Sequence, residues 1–123
     1  MKIARDNLTS YSIRKVERGL IVIGDRQYAG NLGLLPDRLI ENWPDRPLAE
    51  LDMADLQKIL DHAPEMVLAG TGWSNVLPPR ELVFALARRG IGLEVMDTPA
   101  ACRTFNILVG EGRRPAALLY LDV

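Results

Sequence analysis

Two short apolar runs, MVLAG at 66–70 and GLEVM at 92–96, constrain the fold more than any other feature of the chain. Each is bounded by turn residues and is too short for a helix; MVLAG reads as a buried strand and GLEVM as another strand. Between them Leu82, Val83, Leu86 and Ala87 repeat at helical spacing. Pro79 suits the first helical turn and Gly90 the C′ position. Strand, helix, strand in so short a span is a βαβ unit, and a right-handed crossover lays the two strands parallel.

The alternation extends both ways. Upstream, Asp52 reads as an N-cap with Asp55 three residues on, and Leu51 and Leu56 hold the positions of a hydrophobic staple. Leu56, Ile59, Leu60 and Ala63 then form one helical face, which Pro64 ends. Downstream, Thr98-Pro99 reads as N-cap and N1 of a third helix. Ala101, Phe105, Leu108 and Val109 line its buried side, Gly110 and Gly112 stop it, and AALLYL at 116–121 is a final strand. Before residue 48 the pattern is β-rich. YSIRKV (11–16) and LIVIG (20–24) flank a Glu17-Arg18-Gly19 loop, QYAGN, GLLP and RLIENW (38–43) follow, and Pro36, Pro44 and Pro47 limit the strands. The expectation is one α/β domain over 1–123, with a β-rich part at 1–47 and an alternating part at 48–123 around a largely parallel sheet.

Composition narrows function by exclusion. Fifteen basic and 16 acidic residues are interspersed and leave a net charge of −1, without the basic excess of a nucleic-acid binder. No apolar run approaches the roughly 18 residues of a spanning helix, so no membrane insertion is expected. The start, MKIARDNLTSYSIRKVERG, lacks the apolar core of a secretory signal. A single cysteine, Cys102, precludes an internal disulfide and suits a reducing cytoplasm, the expected location. One histidine, His62, gives no histidine-rich metal site, and no histidine is placed to activate Ser74. No cofactor, metal site or catalytic set is expected.

The parallel strands should carry Gly70-Thr71-Gly72 and Asp97-Thr98 to one edge of the sheet, the edge where open α/β sheets bind ligands. There the backbone N–H groups of the Gly-Thr-Gly turn, helped by the helix beginning at Thr98, could meet a small anion. The alternative is that the glycines only permit tight turns. The motif is not a P-loop, and G-x-G-x-x-G fails at Val76. Thr104 and Asn106 compete for backbone hydrogen bonds inside a helix, which argues for specific partners, in a ligand or in neighbouring loops. Glu111 and Arg113 could form a charged rim to the same cleft, or a surface ion pair. Arg103 is early in its helix, where a cation opposes the dipole. Cys102 falls on the apolar face, and an exposed Trp73 would favour a protein interface.

The segment GLEVMDTPAACRTFNILVGEGRRPAALLYL (92–121), together with LAGTG (68–72), resembles a family of small uncharacterised proteins. That family includes a mitochondrial respiratory complex I assembly factor and an adipogenesis-associated protein. The likeness extends over nearly the whole chain, with Phe105 standing where tyrosine is common. It implies a three-layer fold: a central mixed sheet, helices on one side and the β-rich layer on the other. It also implies a part in assembling a respiratory complex, without implying a reaction. The leading expectation is therefore a non-catalytic binding or assembly protein with a protein partner, presenting Trp73 and the 71–79 loop. The rival is a small-molecule sensor or enzyme whose cleft is lined by Gly70, Thr71, Gly72, Thr98, Thr104, Asn106, Glu111 and Arg113.

Overall fold

The computed structural model describes residues 11–122; residues 1–10, where most of the leader reading falls, lie outside the described residues. The elements in order are β1 (Ile13–Glu17), β2 (Leu20–Ile23), β3 (Arg26–Tyr28), β4 (Leu32–Leu35), β5 (Arg38–Glu41), a 3-10 turn (Leu48–Glu50) and α1 (Gln57–Leu60). There follow β6 (Met66–Gly70), α2 (Arg80–Arg88), β7 (Gly92–Met96), α3 (Thr98–Gly110) and β8 (Pro115–Leu119). The first three strands form an antiparallel meander, and the other five form a sheet in the order β5-β4-β8-β6-β7.

That larger sheet is mixed. β6 runs parallel to both β7 and β8, whereas β4 is antiparallel to β5 and β8. The parallel half is the one the apolar runs mark; the antiparallel half comes from the β4–β5 hairpin, which closes over Pro36-Asp37.

Side chains of the sheet alternate between two cores. Val67, Ala69, Ala116 and Leu118 face α1, α2 and Trp43. Leu68, Ala117, Leu119, Leu32 and Leu34 face α3 and the small sheet's Ile13, Ile21 and Ile23. The helices thus divide between the two faces, where the family resemblance implies helices on one side only. Strand order gives the reason. The chain passes from β6 outward to β7, then back across β6 to β8. Two right-handed crossovers made in opposite directions put α2 and α3 on opposite faces.

Local differences also have physical causes. Asp52 and Asp55 do exchange bonds, each carboxylate accepting the other's backbone N–H at 3.0 and 2.9 Å. The capped segment, however, is tightened by N–H bonds reaching back three residues, from Asp55, Leu56 and Gln57, and regular α-helix covers only 57–60. Pro79 is the N-cap of α2 rather than its first residue. In α3 the cap is Asp97, whose side chain accepts the Ala100 N–H at 2.8 Å, leaving Thr98 at N1 and Pro99 at N2. β5 stops at Glu41 because Asn42 takes a left-handed φ of 56° and swings Trp43 onto the sheet. The indole lies so close over Gly33 that a Cβ there would sit 2.5 Å from the ring.

Candidate functional site

The edge at the C-terminal ends of β6 and β7 is held together by one hydroxyl. Thr98, fully buried, donates from Oγ1 to the Tyr120 carbonyl and accepts the Gly72 N–H, both at 2.7 Å. The Thr98 N–H in turn donates to the Gly72 carbonyl at 2.9 Å. Thr71 is 2 % exposed, donates its hydroxyl to Ser74 O at 2.7 Å and its N–H to Met96 O at 2.9 Å. Gly72 turns the chain at φ 83°, a conformation side chains disfavour. Gly70 is needed for a different reason: a Cβ there would meet Thr98 Cα at 3.0 Å and Ala101 Cβ at 3.1 Å, so its bareness lets α3 seat on β6. Gly70, Thr71, Gly72 and Thr98 are thus brought together as expected, with the bonds above spent on one another and on neighbouring backbone.

The remaining ligand candidates are dispersed along α3. Thr104 donates to Ala100 O at 2.9 Å and lies 3.6 Å from Met96 Sδ. Asn106 reaches the small sheet, its amide accepting the Ile13 N–H at 3.0 Å and donating to the Ile13 carbonyl at 2.8 Å. One side chain thereby satisfies both polar groups of a strand residue and ties α3 to β1. Glu111 closes the far end of the helix, and thirteen residues at 1.5 Å rise put it about 20 Å from Thr98. Arg113 pairs there with Glu65 at 3.5 Å, with both side chains about half exposed. Arg114 beside it donates to the carbonyls of His62 and Ala63, the end of the α1 segment. No single cleft joins these groups to the Gly-Thr-Gly turn.

A groove of about 390 Å³ lies along the C-terminal half of α3, away from the Gly-Thr-Gly turn, lined by Tyr11, Pro36, Phe105, Val109 and Gly112, with Asn106 on its wall. Phe105 is 1 % exposed and packs in the core, so it offers no reactive group there. Cys102 is buried as expected, and desolvation pushes its thiol up to about 12 against the pull of Arg103, leaving it unreactive near neutral pH. Among the described residues no cluster of histidine, cysteine and carboxylates could hold a metal, and no helix is long and apolar enough to cross a membrane.

What faces outward at the same edge is the 71–79 loop. Its base is pinned by the Thr71 and Thr98 bonds, and Val76 packs inward against the α1–α2 core. Trp73 is half-buried under Arg18, whose guanidinium sits 5.5 Å from the ring centre. That arginine is carried on the β1–β2 turn, itself anchored by the Gly19 N–H to Leu121 O at 2.8 Å. Leu77 is the exposed apolar residue, at 82 %. Sequence reasoning singled out Trp73 and missed Leu77, because an isolated leucine before two prolines belongs to no periodic face. It also missed Phe84 on α2, 54 % exposed, although at 100° per residue Phe84 falls opposite Leu82 and Leu86.

These features define a mixed α/β fold of the kind called Mth938-like. A Bordetella pertussis protein described as a Mth938-like domain superposes with a TM-score of 0.77 at 27% identity, over 93% of this chain and 87% of that one. Residues 13–120 match the family described as protein of unknown function (DUF498/DUF598), and the chain belongs to that family. It is 36% identical over 103 residues to NADH dehydrogenase [ubiquinone] 1 alpha subcomplex assembly factor 3 of Homo sapiens, across 83% of this chain and 55% of that protein. The chain therefore spans little more than half of the human relative's length. It is also 29% identical, over 83% of this chain and 84% of the relative, to a protein of Francisella tularensis subsp. holarctica (strain LVS) named 13 kDa major membrane protein.

Proposed function

We propose that this chain is a non-catalytic binding protein that takes part in assembling a respiratory NADH dehydrogenase, and that the 71–79 loop is where it meets a protein partner. The observation that carries the reading is Leu77, 82 % exposed on a loop whose base is fixed by buried hydrogen bonds. A rigidly presented apolar tip loses little conformational freedom on binding, which favours association. Trp73, four residues earlier in the same loop, is covered by Arg18, which gives the loop a polar flank as in a typical interface. The name of the human relative supplies the process. The Gly-Thr-Gly turn then serves as the frame of the loop, and Thr98 as its fastening.

The test is a photo-crosslinking side chain at position 77, introduced into the protein in its native host. The reading expects a small, reproducible set of adducts that includes a component of the NADH dehydrogenase. Adducts no different from those formed at exposed Lys58 would overturn it.

A further inference from the structure

The outward face of α2 carries a short stripe of alternating character. Arg80, Phe84 and Arg88 recur at every fourth residue, all exposed, on the side of the helix away from buried Leu82 and Leu86. Two guanidinium groups therefore flank an aromatic ring that is 54 % exposed. Arg89 extends the positive charge beyond the last helical turn. Glu81 is the acidic residue of the helix, and among the described residues no carboxylate lies within 4.0 Å of Arg80, Arg88 or Arg89. Leu77 precedes the helix by three residues, so the loop tip and the stripe follow one another along the chain.

We infer that this face of α2 docks a protein segment bearing acidic side chains on either side of an aliphatic or aromatic one. The inference deepens the reading of the 71–79 loop and rests on it, by giving the partner's chemistry. Charge complementarity carries it: carboxylates pair with Arg80 and Arg88 while an apolar side chain covers Phe84. Guanidinium groups suit the task, because their planar fork matches a carboxylate in two-point contact and their weak hydration lowers the cost of covering them. An aromatic centre with arginine neighbours is also the composition that dominates binding energy at protein interfaces. An anionic lipid surface would meet the same charges, but the geometry disfavours it. Leu77 and Phe84 together offer less hydrocarbon than one myristoyl chain, which by itself binds membranes only marginally. Glu81 would further oppose an anionic surface.

The experiment is selection of a random twelve-residue displayed peptide library on the immobilised full chain. Synthesised winners are then titrated against that chain and its Arg80→Glu/Arg88→Glu double variant. Both arginines are exposed, so the variant keeps the fold, which its thermal melt verifies. The expected winners carry Asp or Glu on both sides of an aliphatic or aromatic residue. They shift the amide resonances of residues 77–89 and bind the variant at least tenfold more weakly. Winners without acidic residues, equal binding to the variant, no enrichment, or cosedimentation with phosphatidylglycerol vesicles that the variant loses would each overturn the inference. Failure here with partner adducts from position 77 intact removes the acidic partner and leaves the loop reading standing. Loss of those adducts with acidic winners intact does the reverse.

Discussion

Replacing Thr98 with valine isolates the hydroxyl that fastens the sheet edge. The two side chains have nearly the same shape, so no cavity forms, and the site is 0 % exposed, so water cannot substitute. Thr98→Val leaves the Gly72 N–H and the Tyr120 carbonyl without the partner each now has at 2.7 Å. A buried polar group deprived of its partner costs about 1–3 kcal/mol. Both together predict a loss of about 2–6 kcal/mol, a large share of the roughly 5–15 kcal/mol by which a domain is stable. Thr98→Ser keeps both bonds and loses one buried methyl, for a cost of about 1 kcal/mol. Urea unfolding followed by circular dichroism measures the difference, provided the slope with denaturant is the same for all three proteins. A valine variant within 0.5 kcal/mol of the parent, or less damaged than the serine variant, would refute the claim that this hydroxyl holds the edge.

Four further outcomes follow from the geometry. Asn106→Ala removes both bonds to Ile13 and should cost about 1–2 kcal/mol, with faster hydrogen exchange concentrated at the Ile13 amide. Gly33→Ala drives a methyl to 2.5 Å from the Trp43 ring; near-UV dichroism should report a displaced indole and melts a loss of about 3 kcal/mol or more. Asp55 has its carboxyl held below the usual 3.8, chiefly by the Asp52 N–H, with burial opposing and Arg46 adding to the lowering. Its contribution is therefore present above pH 3.8 and lost as pH falls through the lower folded value, so Asp55→Asn should flatten that acidic limb of the stability curve. Cys102 should react with a maleimide at pH 8 only as fast as the protein opens, and a burst of labelling would contradict its burial.

Much of this fold is written in local pattern. MVLAG coincides with β6 because a central parallel strand buried on both faces is a short apolar run. GLEVM coincides with β7, which lies at the sheet edge with none of its residues fully buried, and is legible from its length and from Gly90 and Asp97 on either side. The β1–β2 hairpin is legible for the same local reason, its loop residue Gly19 taking φ 79°. The distribution of helices was not legible, since it follows from the return of β8 across β6, and strand order leaves no trace in periodicity. The Asp97 cap was overlooked because Thr98-Pro99 satisfies the same rule one residue later, and only the Asp97 bond to Ala100 separates them. At the site, the meeting of Gly72 with Thr98 follows from parallel pairing. The separation of Glu111 and Arg113 from that edge follows from the length of α3, which a reading by motif alone does not weigh. Leu77 and Phe84 stand out only when exposure is known, because an apolar residue in sequence reads as core until the fold leaves it outside.

The most direct measurement is the amount of assembled respiratory NADH dehydrogenase in native membranes from cells whose own copy of the gene encodes Leu77→Asp. The substituted side chain is 82 % exposed, so folding and abundance should be unchanged. The account predicts a clear loss of assembled complex in that strain and none in a Lys58→Asp strain, whose substitution is also on the surface. Equal amounts of complex in both strains and in the parent would contradict it.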